Sequence, residues 1–379
     1  MKRPVAVVGV GRTRCAARRD DVSILGLVRE AVDAALLDAG LDHDDIDAVV
    51  LGKAPDTFEG VLQPELMLAD ALGAAGKPVL RVHTAGSVGG SAAVVGTTLV
   101  ASGRFQRVLV VAFEKQSESN AMWALSPRYP FSPPALAGAG GYFAPIIRAY
   151  QQRTGAPADT GLHVVCKDRA NGARNPLAHV REVPTLDEAA RSPMLWDPVR
   201  YVETCPSSDG ACAVILASEP GDAPAWVRGA AVRSEPVIFA GRDEITPAAA
   251  FACARAVYAE AGVTDPKRQI DVAELYVPFS WYEPMWLEAC GLADPGVGWR
   301  PVVEGVTAMG GALPVNPSGG VLCSNPIGAS GLFRFAEAAL QVRGRAGPAQ
   351  VDGARTALGH AYGGGSQFFA MWVVGADRP

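Results

Sequence analysis

No two of the seven cysteines (Cys15, Cys166, Cys205, Cys212, Cys253, Cys290, Cys323) form a CxxC pair, and their number is odd. Neither a disulfide framework nor a zinc site is expected, and most of these thiols read as small buried hydrophobes. The five histidines (His43, His83, His163, His179, His360) show no ligand spacing, so no metal is expected on this chain. The formal net charge is −5, with no basic run or arginine-rich stripe, which argues against a nucleic-acid surface. No apolar stretch approaches the ~20 residues that span a bilayer. The opening MKRPVAVVGVGRTRC has too short an apolar run for a signal peptide and reads as a first buried strand, so a cytoplasmic protein is expected.

What is present is core. Of the 379 residues, 49% are hydrophobic, enough for two ordinary domains or one large two-part unit. Apolar β-rich runs occur at Val5–Val8, Ala48–Leu51, Val108–Phe113, Ala211–Ala217, Val272–Val277 and Phe368–Val374. Helical patterns lie between them, as at Leu25–Ala39 and Leu332–Arg343. This alternation predicts an α/β layered fold. The two halves share a plan. DAVVLG, AGSVGGSAA and VLVVAFEK in the first half correspond to DVAELYVPF, NPIGASGLF and FFAMWVVG in the second. The expected halves are 1–222 and 223–379, with a boundary near Glu219–Ala225 and a loop excursion over 119–206. That excursion is rich in Pro, Gly, Arg and aromatics and reads as a binding surface rather than core. The segment 113–134, which leads into it, suits an interface or the wall of a lipid pocket.

The stretch RVHTAGSVGGSAA (81–93) is a short strand, a tight turn and a small-residue helix from about Gly90 to Ser102. Such a turn places a nucleophile at a helix N-terminus. AGSVG at 85–89 matches the hydrolase elbow GxSxG with Ala for the first Gly, which offers Ser87 as nucleophile and the late His360 as its base. The alternative is that Ser87 only caps the turn. GVGRTR at 9–14 lacks the third glycine of a dinucleotide fingerprint and reads as a strand-end turn.

Six landmarks in order resemble the thiolase superfamily, in its lipid-transfer or sterol-carrier-type branch, over nearly the whole chain. They are AVVGVGRT, VLVVAFEKQSES, SSDGACAVILAS (207–218), AELYVPF (273–279), NPSGGVLCSNPIGASG (316–331) and HAYGGGSQ (360–367). The resemblance implies two similar βαβαβαββ halves in an α/β/α/β/α five-layered arrangement. The departures are as telling. Gly86 stands where the family has its acyl-accepting cysteine. Tyr276, Val277, Pro278 and Phe279 replace the branch's HDCF. Asn325 replaces the histidine of GHPxGA, and Ala361, followed by Tyr362, replaces the CxGGG cysteine. A glycine cannot form an acyl-enzyme, so Claisen chemistry through a thioester intermediate is not expected.

With these departures the chain resembles the steroid side-chain aldolases, thiolase-like proteins that cleave a β-hydroxyacyl-CoA without a covalent intermediate. The resemblance implies a 17-hydroxy steroid thioester as substrate, with a ketosteroid and propionyl-CoA as products. It implies no cofactor beyond the substrate's own coenzyme A. The implied assembly is a homodimer core bound to a small zinc-ribbon/OB-fold subunit or hydratase domain, in an α2β2 complex. Any zinc would then belong to the partner. Tyr276 and Tyr362 are the expected catalytic pair, one holding the enolate oxygen and the other handling the hydroxyl proton. His360 and Asn325 are further catalytic candidates; Gly86, Ser87, Gly364, Gly365 and Tyr282 are expected at the substrate. The loss of a side chain at Gly86 is expected to open volume for a tertiary alcohol. Two readings compete: acyl transfer or hydrolysis through Ser87 or a relocated Cys205, Cys212 or Cys323, and a non-catalytic acyl-CoA- or lipid-binding subunit.

Overall fold

The computed structural model describes residues 3–54, 60–61, 63–120, 138–236 and 241–379. Its strands are β1 (Ala6–Arg12), β2 (Ala48–Gly52), β3 (Val79–Val82), β4 (Arg107–Lys115), the hairpin β5 (Met194–Trp196) and β6 (Val199–Arg200), β7 (Asp209–Ala217), β8 (Ala225–Ser234), β9 (Val272–Glu274), β10 (Thr356–Gly363) and β11 (Phe368–Gly375). Nine of them join in the order β3-β2-β4-β7-β1-β8-β11-β10-β9. The link between the two groups is slight: β1 meets β8 only at Ala6–Trp226 and Val7–Ala225. The longer helices are α1 (Ile24–Ala39), α2 (Val88–Ala101), α3 (Gly138–Thr154), α4 (Thr160–Gly172), α5 (Ala248–Ala261), α6 (Tyr282–Ala289) and α7 (Ile327–Val342).

Helix α1 covers β1, β4 and β7, while α5 covers β8 and β11. Between them, α2 and α7 touch each other and strands of both groups. The result is the five-layered α/β/α/β/α stack. Local sequence explains the outer layer. Leu27, Val28, Ala31, Val32, Ala35 and Leu36 of α1 are buried at helical spacing. Ser23 caps its start, and left-handed Gly40 ends it.

The middle layer rests on glycine. A Cβ on Gly89 would lie 2.6 Å from the Leu332 nitrogen and 2.7 Å from the Gly328 oxygen. One on Gly331 would lie 2.7 Å from the Gly90 nitrogen. The two helices therefore touch backbone to backbone at their N-terminal turns. Glu114 at the end of β4 fixes the start of α7. Its carboxylate accepts the Gly328 N–H at 2.7 Å and the Ala54 N–H at 3.2 Å, and pairs with Lys53 Nζ at 3.0 Å. Both charged side chains are fully buried, so each depends on the other.

Several elements differ from the sequence reading. Strand β9 stops at Glu274 rather than Val277, because side chains take over from the ladder. Asn316 Oδ1 accepts the Leu275 N–H at 2.7 Å, and His360 Nδ1 accepts the Tyr276 N–H at 3.3 Å. Helix α7 starts at Ile327 rather than Leu332, since small residues there meet α2. Strands β8 and β10 lack a continuous apolar run in the sequence: β8 carries the half-buried Arg228 and exposed Arg233, and β10 is mostly small residues. The excursion also supplies core, contrary to expectation. Ile147 and Tyr150 of α3 and Val164 and Val165 of α4 pack with Val257, Leu275 and Trp286. Of segment 113–134, residues 121–134 lie outside the described residues.

Gly→Ala in an exposed helix stabilises by up to about 1 kcal/mol. Gly89→Ala is expected to do the opposite and cost about 3 kcal/mol, since backbone must part to admit the methyl. Denaturant unfolding checks this, and an unchanged or raised midpoint would contradict the packing.

Candidate active site

The glycine contact brings three turns together at the ends of α2, α7 and β9. Residues after Glu274 leave the sheet, and Tyr276 turns inward. Its carbonyl accepts the Trp286 indole N–H at 2.8 Å. Its hydroxyl donates to Asn325 Oδ1 at 3.3 Å. Asn325 is itself tightly held. Its N–H donates to Ser208 Oγ at 3.1 Å, and its carbonyl accepts from Gln116 Nε2. Ser330 Oγ donates to its Oδ1 at 2.9 Å, and its Nδ2 donates to Cys205 Sγ at 3.2 Å. The amide orientation follows from these partners, with hydroxyl donors on one side and a soft acceptor on the other.

Gly86 faces this pair. A Cβ there would lie 3.7 Å from the Tyr276 hydroxyl and 3.2 Å from the Tyr362 carbonyl. The position is therefore bordered by tyrosine. The volume a cysteine side chain would take at this position thus faces the Tyr276 hydroxyl directly. The glycine that abuts the turn is Gly363, whose Cβ would meet the Ser87 nitrogen at 2.4 Å and the Gly86 nitrogen at 2.6 Å. Gly364 and Gly365, singled out in the sequence, face Phe368 and Tyr142 instead.

Tyr362 lies in an aromatic cluster. Its ring centroid is 5.9 Å from Tyr276, 5.8 Å from Tyr282 and 5.2 Å from Trp286. Phe143 of α3 closes the other side at 6.3 Å. Tyr276, Tyr282 and Tyr362 are buried, and among the described residues no hydrogen bond of ordinary geometry reaches the hydroxyls of Tyr282 and Tyr362. Burial pushes all three phenols well above their ordinary range, so they remain proton donors at neutral pH.

His360 shares the Tyr362 face of β10, with its ring against Trp286 and Phe369. Burial drops its pKa to about 3. Its Nδ1 accepts the Tyr276 N–H, which leaves the proton on Nε2. It thus supports the tyrosine from behind. Ser87 is fully buried and donates to the Thr84 carbonyl at 2.7 Å. Among the described hydrogen bonds no histidine reaches it, so the hydrolase-elbow geometry is not assembled.

Of the three relocated-cysteine candidates, only Cys205 touches the site. Cys212 lies beside Arg12 and Cys15 within the first-half core, and Cys323 Sγ donates to the Asp168 carbonyl at 3.2 Å. The Cys205 thiol is pushed up to about 12, chiefly by burial, which disfavours the thiolate a nucleophile needs. Sequence reasoning missed Gln116, Ser330 and Trp286. Ser330 carries a usable signal, one helical turn beyond Pro326 in NPIGASG. Among the described residues no group of three or more His, Cys, Asp or Glu side chains is placed to hold a metal ion.

His360 makes stability pH-dependent in a defined window. Its folded pKa, about 3, lies below the ordinary 6.5, so between these values the unfolded chain binds the extra proton. Stability is expected to fall on acidification through that window, with His360 contributing up to about 1.4 kcal/mol per pH unit. Chemical denaturation across pH, compared with His360→Asn, checks this. An equal slope in the variant would contradict it.

The comparisons agree with this architecture. The chain is 32% identical to the acetyl-CoA acetyltransferase of Methanothermobacter thermautotrophicus, over 96% of this chain and 97% of that protein. It is 28% identical to human sterol carrier protein 2, over 98% of this chain and 72% of that protein. A solved structure, the Ltp2-ChsH2(DUF35) aldolase, superposes with a TM-score of 0.85 at 26% identity, covering 99% of this chain and 98% of the other. Family models for the thiolase N-terminal domain and the thiolase C-terminal domain-like unit match residues 5–137 and 231–376. This chain belongs to the thiolase family, with sterol-carrier-type and aldolase relatives.

Proposed function

We propose that the chain is a carbon–carbon lyase that cleaves a β-hydroxyacyl-CoA by retro-aldol chemistry. The proposed substrate is a steroid side-chain thioester of the 17-hydroxy type, giving a ketosteroid and propionyl-CoA. The observation that carries this reading is the exchange at the nucleophile turn. Gly86 supplies no nucleophile, and a phenol stands 3.7 Å from where its Cβ would be. The likeness to a solved aldolase supports the same reading.

Retro-aldol cleavage needs an acceptor for the β-hydroxyl proton and a donor for the developing enolate oxygen. Tyr276, beside the turn that corresponds to the family's acyl-accepting cysteine, is assigned the enolate. Its O–H exchanges Asn325 Oδ1 for that oxygen. One such donor is worth about 3 kcal/mol in the transition state. Tyr362, across the cluster, is assigned the β-hydroxyl. The aromatic walls of Phe143, Tyr282 and Trp286 suit a flat apolar acyl group. The buried Ser87 and the raised Cys205 thiol weigh against acyl transfer.

The proposed assembly is a homodimer core with a small zinc-ribbon/OB-fold subunit or hydratase domain in an α2β2 complex. The similar aldolase, whose name pairs Ltp2 with ChsH2(DUF35), motivates this. No helix among the described residues is long and apolar enough to cross a membrane, and a cytoplasmic location is part of the proposal.

The test is cleavage by the co-expressed complex, with ketone and acyl-CoA followed by mass spectrometry. Tyr276→Phe is expected to slow turnover at least ~100-fold, and Tyr362→Phe to abolish it. Full activity in both variants would refute the assignment; binding without cleavage by the wild type would favour a carrier.

A further inference from the structure

A second set of buried polar groups converges behind Tyr362, on the glycine turn that ends β10. Among the described residues no hydrogen bond of ordinary geometry reaches either carboxylate oxygen of Glu244, Ser366 Oγ, or the hydroxyls of Tyr282 and Tyr362. Leaving such groups unpaired is costly, and their concentration in one place marks a functional arrangement. Glu244 is clipped to the turn by Arg242. The guanidinium Nη2 lies 3.4 Å from Glu244 Oε1 and donates to the carbonyls of Gly365 at 3.1 Å and Ser366 at 2.8 Å. Glu235 shares the same arginine at 3.6 Å, but its carboxylate also accepts the Ala249 N–H at 2.8 Å. Of the two acids at Arg242, Glu244 accepts no backbone N–H among the described residues and instead faces the hydroxyls of Tyr142 and Ser366.

Ser366 stands between the acid and the phenol. It is fully buried and adopts a left-handed φ of 59°. Glycine would hold that conformation without strain, whereas serine adds a hydroxyl at a cost. The hydroxyl acts on both Glu244 and Tyr362 as a hydrogen-bonding neighbour, and both contacts tighten when a proton passes. A buried phenol cannot by itself keep a proton taken from an alcohol and also retain its own.

We propose that Glu244 is the final acceptor of the β-hydroxyl proton, a positioning residue that acts through Ser366 and Tyr362. This rests on the retro-aldol reading above. As the substrate O–H breaks, its proton passes to the Tyr362 oxygen. The Tyr362 proton moves to Ser366 Oγ, and the Ser366 proton moves to the Glu244 carboxylate. The freed O–H pair becomes the ketone π bond. The pair of the breaking Cα–Cβ bond becomes the thioester enolate, which Tyr276 protonates at carbon. Glu244 then returns its proton to Tyr276 through solvent, so no proton or electron is gained or lost overall.

Among the described residues, Arg242, Glu235, Tyr142, Tyr282 and Tyr362 are the titratable groups facing Glu244. Burial raises the Glu244 carboxyl and Arg242 lowers it. Turnover that needs the ionised acid rises with pH through its titration and falls on acidification. The experiment measures kcat, KM and the pH profile of the co-expressed complex with a β-hydroxyacyl-CoA. Glu244→Gln is expected to lower kcat about 100-fold with KM within about twofold, and to remove the acid limb of kcat. Glu244→Asp restores part of the rate and the limb. Ser366→Gly relieves the left-handed strain, so it is expected to be at least as stable as wild type yet slower by at least about tenfold. Wild-type kcat and acid limb in Glu244→Gln, or wild-type kcat in Ser366→Gly, would overturn the relay while leaving the aldolase reading intact. Absence of cleavage by the wild type would overturn both.

Discussion

The contact of α2 and α7 through Gly89, Gly90, Gly328 and Gly331 is the constraint on which the site depends. Helices that meet through side chains sit 8–10 Å apart. Here backbone meets backbone, and the N-terminal turns of both helices close on one point. One turn carries Gly86 and the other Asn325. The Lys53–Glu114 pair fixes the second turn from below by filling the carboxylate with the Gly328 and Ala54 N–H groups. Tyr276 and Tyr362 arrive from the ends of the two neighbouring strands β9 and β10.

The chemistry follows from what surrounds that point. A thiolase-type turn without its cysteine has no electrophile-trapping group, and the surroundings have become aromatic rather than basic. Burial keeps the phenols protonated and His360 neutral. Such a site is poor at generating a nucleophile. It is well suited to hydrogen-bond an enolate oxygen, since donors in a dry cavity need no reorganisation as charge develops. Cys205 contributes as an acceptor for the Asn325 amide, a role in which a neutral thiol suffices.

The layered fold, the family and the emptied nucleophile turn were legible because each is written in contiguous motifs. Tyr276 and Tyr362 could be picked out because they replace chemistry-bearing residues inside such motifs. Other features depend on residues distant in the chain. The early end of β9 reflects Asn316 and His360 side chains standing in for strand partners. Gly363 rather than its neighbours abuts Gly86 because of how the β10 turn closes, which identical glycines do not reveal. The excursion looked like surface from its prolines and arginines, yet α3 and α4 bury helical stripes beneath them. Glu244 follows a loop with no motif, and only the folded turn brings it to Ser366.

The central claim is that bond cleavage proceeds at Gly86 without a covalent enzyme intermediate. Rapid acid quench during turnover of a β-hydroxyacyl-CoA, followed by intact-protein mass spectrometry alongside product detection, tests it most directly. Ketone and acyl-CoA are expected to accumulate while the protein keeps its unmodified mass. An acyl mass on the chain during turnover, mapped to Ser87 or Cys205, would contradict it.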